Sequence, residues 1–410
     1  MPTTAFTRRR VAIASLALAT TAAITLTAHP ANASSVTAAI TGSGATIAEA
    51  ATRLAVSSAP ATRLTLPAPT GRYSIGTRAL RLVDSSRRDP LVKARPYREL
   101  MVSLWYPAGP SNRPLAPHMS QMAAADWDRH SAPAMGIKQG SMDWAATTTH
   151  AREGAPVGRK AGSLPVVLFA PGDGGPRTLG TVLVEELASR GYLVVTVDHT
   201  YEADQVEFPG GRVERAVPLP SKLTPNVIAK LLRKHAEIRL ADMRFVLDRL
   251  DKIAGLRGVM DLSKIGMLGQ SIGGSVAAQL AHDDPRIDAG VNLDGSYVGP
   301  IARTGVGRPF LQFAAQAHTR AGDRTWKSFW NASSGWKREL RLAGAAHGSF
   351  TDLQVMLPQV KDLVGTIDPA RSVAAQRAYI TAFFDLHLKG QATHLFDMPD
   401  QRYPEITLVP

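Results

Sequence analysis

Cysteine is absent from all 410 positions, which removes disulfides, thiolate nucleophiles and Cys-ligated zinc from consideration. Lys and Arg outnumber Asp and Glu by 13, yet no block of five or six like charges occurs. A nucleic-acid-binding chain would carry a basic stripe interleaved with aromatics. Neither is present, so no nucleic-acid partner is expected, and weak association with anionic or lipid surfaces is the most the charge supports. The G-x-x-x-x-G-K-[ST] spacing of a phosphate loop is missing. No metal-ligating constellation and no internal repeat stand out, so no cofactor or metal is expected.

What is present is the composition of a globular protein with a sizeable core, 44% hydrophobic and 20% charged. Residues 1–33 read as a secretory signal peptide: Arg8, Arg9 and Arg10 form a basic start, Val11 to Leu26 an apolar stretch, and Ala31-Asn32-Ala33 a small-residue cleavage site. The apolar stretch is too short and too weakly hydrophobic for a membrane span. Thr7 to Val11 is also similar to a twin-arginine signal, so the export route stays open. Removal of the three arginines would leave a net charge of +10. Residues 34–65 are rich in Ala, Ser and Thr and read as a flexible tether. The folded domain is expected over 66–410.

That domain is organised around Asp261 to Leu280. A short apolar run (Ile265, Met267, Leu268) leads into Gly269-Gln270-Ser271-Ile272-Gly273-Gly274, and small helix-forming residues follow. This is the G-x-S-x-G pattern with a strand before it and a helix after it, a nucleophile elbow. The turn strains the serine backbone and leaves no room for side chains at Gly269 or Gly273. It lifts the Ser271 hydroxyl to a helix N-terminus, where free N–H groups favour developing negative charge.

Around this stretch strand and helix signals alternate. Arg98 to Tyr106 alternates apolar and polar residues and stops at Pro107, which predicts a strand near a sheet edge. Leu164–Ala170 and Tyr192–Val197 are continuous apolar runs, as in strands buried on both faces. Thr178 to Arg190 reads as a helix ending at Gly191. Lys222 to Leu256 carries a helical stripe at Leu240, Met243, Val246, Leu247, Leu250 and Ile253. Ile287–Leu293, Pro309–Phe313 and Glu339–Ala343 add strands, and Ser372 to Leu388 a closing amphipathic helix. The alternation predicts an α/β fold, a mostly parallel central sheet with helices on both faces, whose ligands sit at the carboxyl ends of the strands.

A serine hydroxyl needs a base within reach, and the base needs an orienting group. His347, in Leu342 to Asp352 just past the last parallel strand, is the candidate base; His199 precedes the serine in the chain and suits a structural or substrate-lining role. Two carboxylates compete as orienter. Asp294 abuts the end of the strand Ile287–Leu293, whereas Asp323 lies in a polar loop and reads as a solvated charge; the residues alone leave the two close. Oxyanion donors are expected from the N–H of Ile272 and from the glycine-rich turn Phe169 to Pro176, where Asp173 is the candidate.

With these residues in place the chain resembles an α/β-hydrolase of the plasma, lipoprotein-associated platelet-activating-factor acetylhydrolase type and its bacterial relatives. The matching pieces are Val102-Ser-Leu-Trp-Tyr-Pro-Ala108, the Pro171 to Thr178 turn, Asp198-His199, Gly-Gln-Ser-Ile-Gly-Gly around Ser271, Asn-Leu-Asp-Gly around Asp294, and Ala346 to Asp352. They span most of the region from about residue 70 to 390. The resemblance implies Ser271 as nucleophile, His347 as base, Asp294 rather than Asp323 as orienter, and Asp173 and Ile272 as oxyanion donors. It also implies hydrolysis of short or oxidised acyl esters, glycerophospholipids included. The chain departs from the pattern at Pro171, where relatives often carry His, and at Asp173, where an apolar residue is common. A carboxylate facing the site would oppose an oxyanion, so the Asp173 side chain is expected to point away.

Residues 109–160 form an insert with Met119, Met122, Trp127, Met135, Met142 and Trp144. It reads either as an acyl-binding wall or lid or as an irregular excursion packed on itself. Trp326, Phe329, Trp330 and Trp336 form a second aromatic group, suited to a pocket rim, a lipid interface or the core. The expected activity is that of an exported serine ester hydrolase acting through an acyl-enzyme. A polyesterase or peptidase on the same fold and a non-catalytic surface-binding module are the alternatives.

Overall fold

The computed structural model describes residues 61–160 and 162–410. The signal peptide and the tether as far as residue 60 lie outside the described residues. The strands, in chain order, are β1 (Thr62–Arg63), β2 (Ile75–Asp84), β3 (Arg98–Pro107), β4 (Leu115–Pro117), β5 (Met142–Asp143), β6 (Thr148–Glu153), β7 (Leu164–Ala170), β8 (Leu193–Asp198), β9 (Gln205–Phe208), β10 (Arg212–Arg215), β11 (Met260–Gln270), β12 (Ile287–Leu293), β13 (Phe310–Ala315), β14 (Lys337–Leu342) and β15 (Ile406–Val409). Eleven of them form one sheet in the order β15-β14-β13-β12-β11-β7-β8-β3-β2-β6-β4. From β14 to β8 every neighbouring pair is parallel; β15 and β3 join antiparallel at the two ends of that run.

The principal helices are α1 (Gln121–Ala134), α2 (Thr181–Ser189), α3 (Pro225–Leu247), α4 (Ile272–Asp283), α5 (Arg324–Ala332) and α6 (Pro369–Lys389). Period-two alternation in β7 sorts its side chains: Val167 and Phe169 join the core under α2 and α6, and Leu164, Val166 and Leu168 join the core under α3 and α4. Both long helices start at built caps. Thr224 accepts the Val227 N–H ahead of Pro225, and Asp368 accepts the Arg371 N–H ahead of Pro369. The stripe predicted through Ile253 runs past the helix, which ends at Leu247; Leu250 lies in a separate short turn yet still packs in the same core.

Three expectations change. Strand β3 is not near an edge, because β8 and β2 pair with it on both sides and Pro107 is only its last residue. The fold begins before residue 66: Thr62 and Arg63 pair with β5, and Leu64 is buried beside Trp127 and Trp144. The insert 109–160 is not irregular; it holds α1 and three strands, of which β6 and β4 extend the sheet beyond β2. Of the second aromatic group, Trp326 and Phe329 take the core placement. They are buried against Tyr297 and Phe310, while Trp336 packs on Phe383 and Phe396.

Beneath the carboxyl end of the sheet lies a buried ion cluster. Arg98 is fully enclosed and donates to Asp89, to both oxygens of Asp242 and to the Thr200 carbonyl. Asp242 also meets His199 Nδ1 at 3.0 Å and Arg87 at 2.8 Å. Arg98 and His199 hold the Asp242 carboxyl well below its usual range despite burial. Burial and the cation of Arg239 push His199 down to about 4, so it sits neutral inside the fold and takes a structural role. Replacing Arg98 by Leu strands two buried carboxylates, and the expected loss is about 3–5 kcal/mol of unfolding free energy. Guanidinium titration of the variant against the parent measures it.

Candidate active site

Ser271 sits between β11 and α4 with φ 56° and ψ −126°, a conformation disfavoured for a side-chain-bearing residue. The predicted elbow is therefore present. A Cβ on Gly273 would overlap the carbonyl oxygen of Ala170, and one on Gly269 would overlap that of Gly273. Ser271 N–H donates to the Leu293 carbonyl at 2.8 Å, which ties the elbow to the end of β12.

The next residue after β12 is Asp294, also at positive φ, 57°. Its Oδ2 lies 2.6 Å from His347 Nδ1, and its Oδ1 accepts the Ala315 N–H at 2.7 Å. Hydrogen bonds from His318 and His347 hold this buried carboxyl well below its usual range, against the effect of burial. A carboxylate on Nδ1 fixes the proton there and leaves Nε2 with its lone pair. That nitrogen lies 3.2 Å from the Gln270 side-chain amide, which donates to it. Ser271 and His347 line one cavity of about 140 Å³ together with the Gly172 to Gly175 turn, and Trp127 and Met135 of the insert close its outer side. The same two insert residues pack in the cluster of Met119, Trp144 and Leu179, so wall and self-packed unit are one object.

The oxyanion turn approaches closely, since a Cβ on Gly172 would overlap the Gln270 side chain and crowd Ser271. The Asp173 side chain points away from the reacting atoms, as its chemistry requires, and meets His235 Nδ1 of α3 at 2.7 Å. His235, Arg239 and Asp242 recur at helical spacing and give α3 a buried polar face beside its apolar stripe. Arg239 donates to the carbonyls of Pro171 and Gly172 and, at 2.5 Å, to Glu202. The turn thus rests on a guanidinium.

Asp173, Glu202 and His235 bring their ligand-type atoms within 4.8 Å of one another, a grouping the sequence did not suggest. Arg239 already supplies a positive charge at that point, so the arrangement fits an internal ion network. Burial pushes Glu202 up to about 7, aided by the Asp173 carboxylate with which it shares a hydrogen bond and opposed by Arg239 and His235. A carboxyl raised above its ordinary 4.5 contributes stability that is full below pH 4.5 and fades as pH climbs through about 7. Glu202→Gln keeps an acceptor for Arg239 and a donor for Asp173. Its unfolding free energy is therefore expected to be flatter than the parent's between pH 5 and 8, as followed by denaturant titration at each pH.

Asp323 is the larger surprise. It is not a solvated charge but buried, accepts the N–H of Thr325 at the start of α5 and the hydroxyl of Ser296, and meets His318 Nε2 at 2.9 Å. The turn after β13 is compact enough to bury it, which the run of Thr, Arg and Gly around it concealed. His318 itself escaped notice; the signal available was its place after a strand end, among the other site residues. A second cavity, of about 260 Å³, is also lined by Ser271, together with residues of α3 and residues 296–299.

Residues 62–207 match the family model described as platelet-activating factor acetylhydrolase, isoform II. The chain is 28% identical over 385 residues to a probable 1-alkyl-2-acetylglycerophosphocholine esterase of Arthroderma benhamiae, covering 87% of this chain and 96% of that one. It is 23% identical over 230 residues to the platelet-activating factor acetylhydrolase of Cavia porcellus, half of this chain and 53% of that protein. The solved ferulic acid esterase of Streptomyces cinnamoneus superposes with a TM-score of 0.73 at 37% identity, over 85% of this chain and 99% of that one.

Proposed function

Since the chain belongs to the platelet-activating-factor acetylhydrolase family of α/β-hydrolases and is a carboxylic ester hydrolase, we propose that it is an exported serine esterase with Ser271, His347 and Asp294 as its catalytic triad. The observation that carries this reading is His347, held at 2.6 Å by a buried carboxylate and sharing a cavity with a serine at the elbow. In the first half-reaction Ser271 Oγ attacks the ester carbonyl while His347 Nε2 takes its proton. The N–H groups of Asp173 and Ile272 receive the oxyanion. Collapse breaks the bond to the alkoxy oxygen, which leaves as the alcohol with the proton from His347. Water then repeats the sequence on the acyl-serine and releases the acid. Residues 1–33 act as the export signal. Ser271→Ala is expected to abolish p-nitrophenyl acetate hydrolysis, at least ~10³-fold in kcat, with an unchanged melting temperature. Retained turnover ends this reading.

The base must reach the leaving oxygen, so the alcohol belongs on the His347 side, in the cavity walled by Trp127 and Met135. The acyl group then extends to the other side of Ser271, into the cavity lined by Ile228, Ala229, Leu232 and Val298. Its volume of about 260 Å³ suits a medium-length chain or a single ring. Ala229 is exposed at its mouth. Ala229→Trp is expected to lower the octanoate-to-acetate ratio of kcat/KM about tenfold on p-nitrophenyl esters. A ratio that holds steady rules this acyl assignment out. The 37% identity to a ferulic acid esterase favours a second reading, a hydroxycinnamoyl ester as substrate. Methyl ferulate hydrolysed faster than methyl butyrate would select it.

A further inference from the structure

Asp294 is shared by two imidazoles. His347 Nδ1 takes Oδ2, and His318 Nδ1 lies 3.0 Å from Oδ1. The other edge of the His318 ring, Nε2, lies 2.9 Å from Asp323 Oδ2. A neutral imidazole offers one N–H and one lone pair, and a lone pair set against a carboxylate repels it. Only the doubly protonated ring satisfies both ends. We infer that His318 is a standing imidazolium wedged between Asp294 and Asp323, and that it is a positioning residue which tempers the field Asp294 imposes on His347.

Three further observations fit. The ring is 5% exposed and both carboxylates 1%, so water does not screen the group. The Trp326 ring lies tilted against the imidazole, with ring centres 4.2 Å apart, and its indole N–H donates to the Gly295 carbonyl, next to Asp294. Burial works against a charged ring, but the two carboxylates outweigh it and push His318 up to about 9. Beyond them Glu339 is the remaining facing acid, paired with Arg320 and raised by burial.

This reading rests on the proposed roles of His347 and Asp294. Without the His318 charge, the Asp294 carboxylate beside His347 would be joined by the unmatched buried charge of Asp323. With it, one of those charges is matched, and the second oxygen of Asp294 is pinned so that the first stays aimed at His347.

The test is the pH dependence of kcat/KM on p-nitrophenyl acetate. His318→Gln is expected to move the acidic limb upward by about one pH unit, as for loss of a nearby cation. A purely structural residue would lower activity or melting temperature and leave the limb in place. An unmoved limb, or one shifted downward, overturns the inference. Independently of whether that variant folds, ¹⁵N-histidine NMR of the full chain should show one ring protonated on both nitrogens at pH 8. Finding every ring neutral there overturns it as well. The triad fails separately, through an active Ser271→Ala, which leaves the ring's protonation untouched.

Discussion

Everything at the carboxyl edge of the sheet depends on how closely three backbones approach one another. The ends of β7, β11 and β12 converge so tightly that Gly269 and Gly273 cannot carry a side chain, and Ser271 is driven to positive φ to complete the turn. That strain is offset elsewhere: strands β7, β8 and β13 are buried on both faces, and the Ser271 N–H is anchored on Leu293. The same crowding presents the hydroxyl, brings the Gly172 turn against it, and puts Asp294 within one residue of the strand that fixes the elbow. The alignment of Ser271, the Gly172 turn and Asp294 is thus a single steric solution.

Besides the group around His318, two clusters of buried charge lie beneath this edge, and helix α3 serves both. Asp242 belongs to the cluster around Arg98, and His235 and Arg239 to the one under the oxyanion turn. A guanidinium that donates to the carbonyls of Pro171 and Gly172 directs those oxygens toward itself and the adjoining N–H groups toward the opposite, substrate side. An acidic residue is tolerable at position 173 because His235 faces its carboxylate. The departure from an apolar residue there is matched by a polar face on the neighbouring helix.

How much of this was legible follows from what each residue needs in order to be understood. Ser271 carries its context in its own neighbours, and Leu164–Ala170 declares a doubly buried strand by composition alone. Asp294 could be separated from Asp323 only weakly, and the separation was posed wrongly, since both are buried and one imidazole joins them. His318 acquires meaning from carboxylates 24 and 5 residues away, a relation no local pattern contains. Helix α3 was read from its apolar stripe, but the polar face formed by His235, Arg239 and Asp242 was not, because period alone does not say that charged positions are also covered. Strand β3 was misjudged from its terminal Pro107, which lies two residues beyond its last pairing with β8 and withholds no needed hydrogen bond.

The insert is tied to the His347 segment by a contact that its composition did not suggest. Asp352, five residues beyond His347, accepts the N–H groups of Thr181 and Val182 at the start of α2 and lies 3.0 Å from His118 of the insert. Its own N–H donates to Leu179. The segment carrying His347 is therefore fastened both to the helix that follows the Gly172 turn and to the wall of the cavity. A displacement of the insert would have to break the buried contact between His118 and Asp352 and would disturb the placement of His347. The wall of the cavity and His347 are thus linked through one buried contact, and Trp127 and Met135 of that wall line the cavity that Ser271 shares.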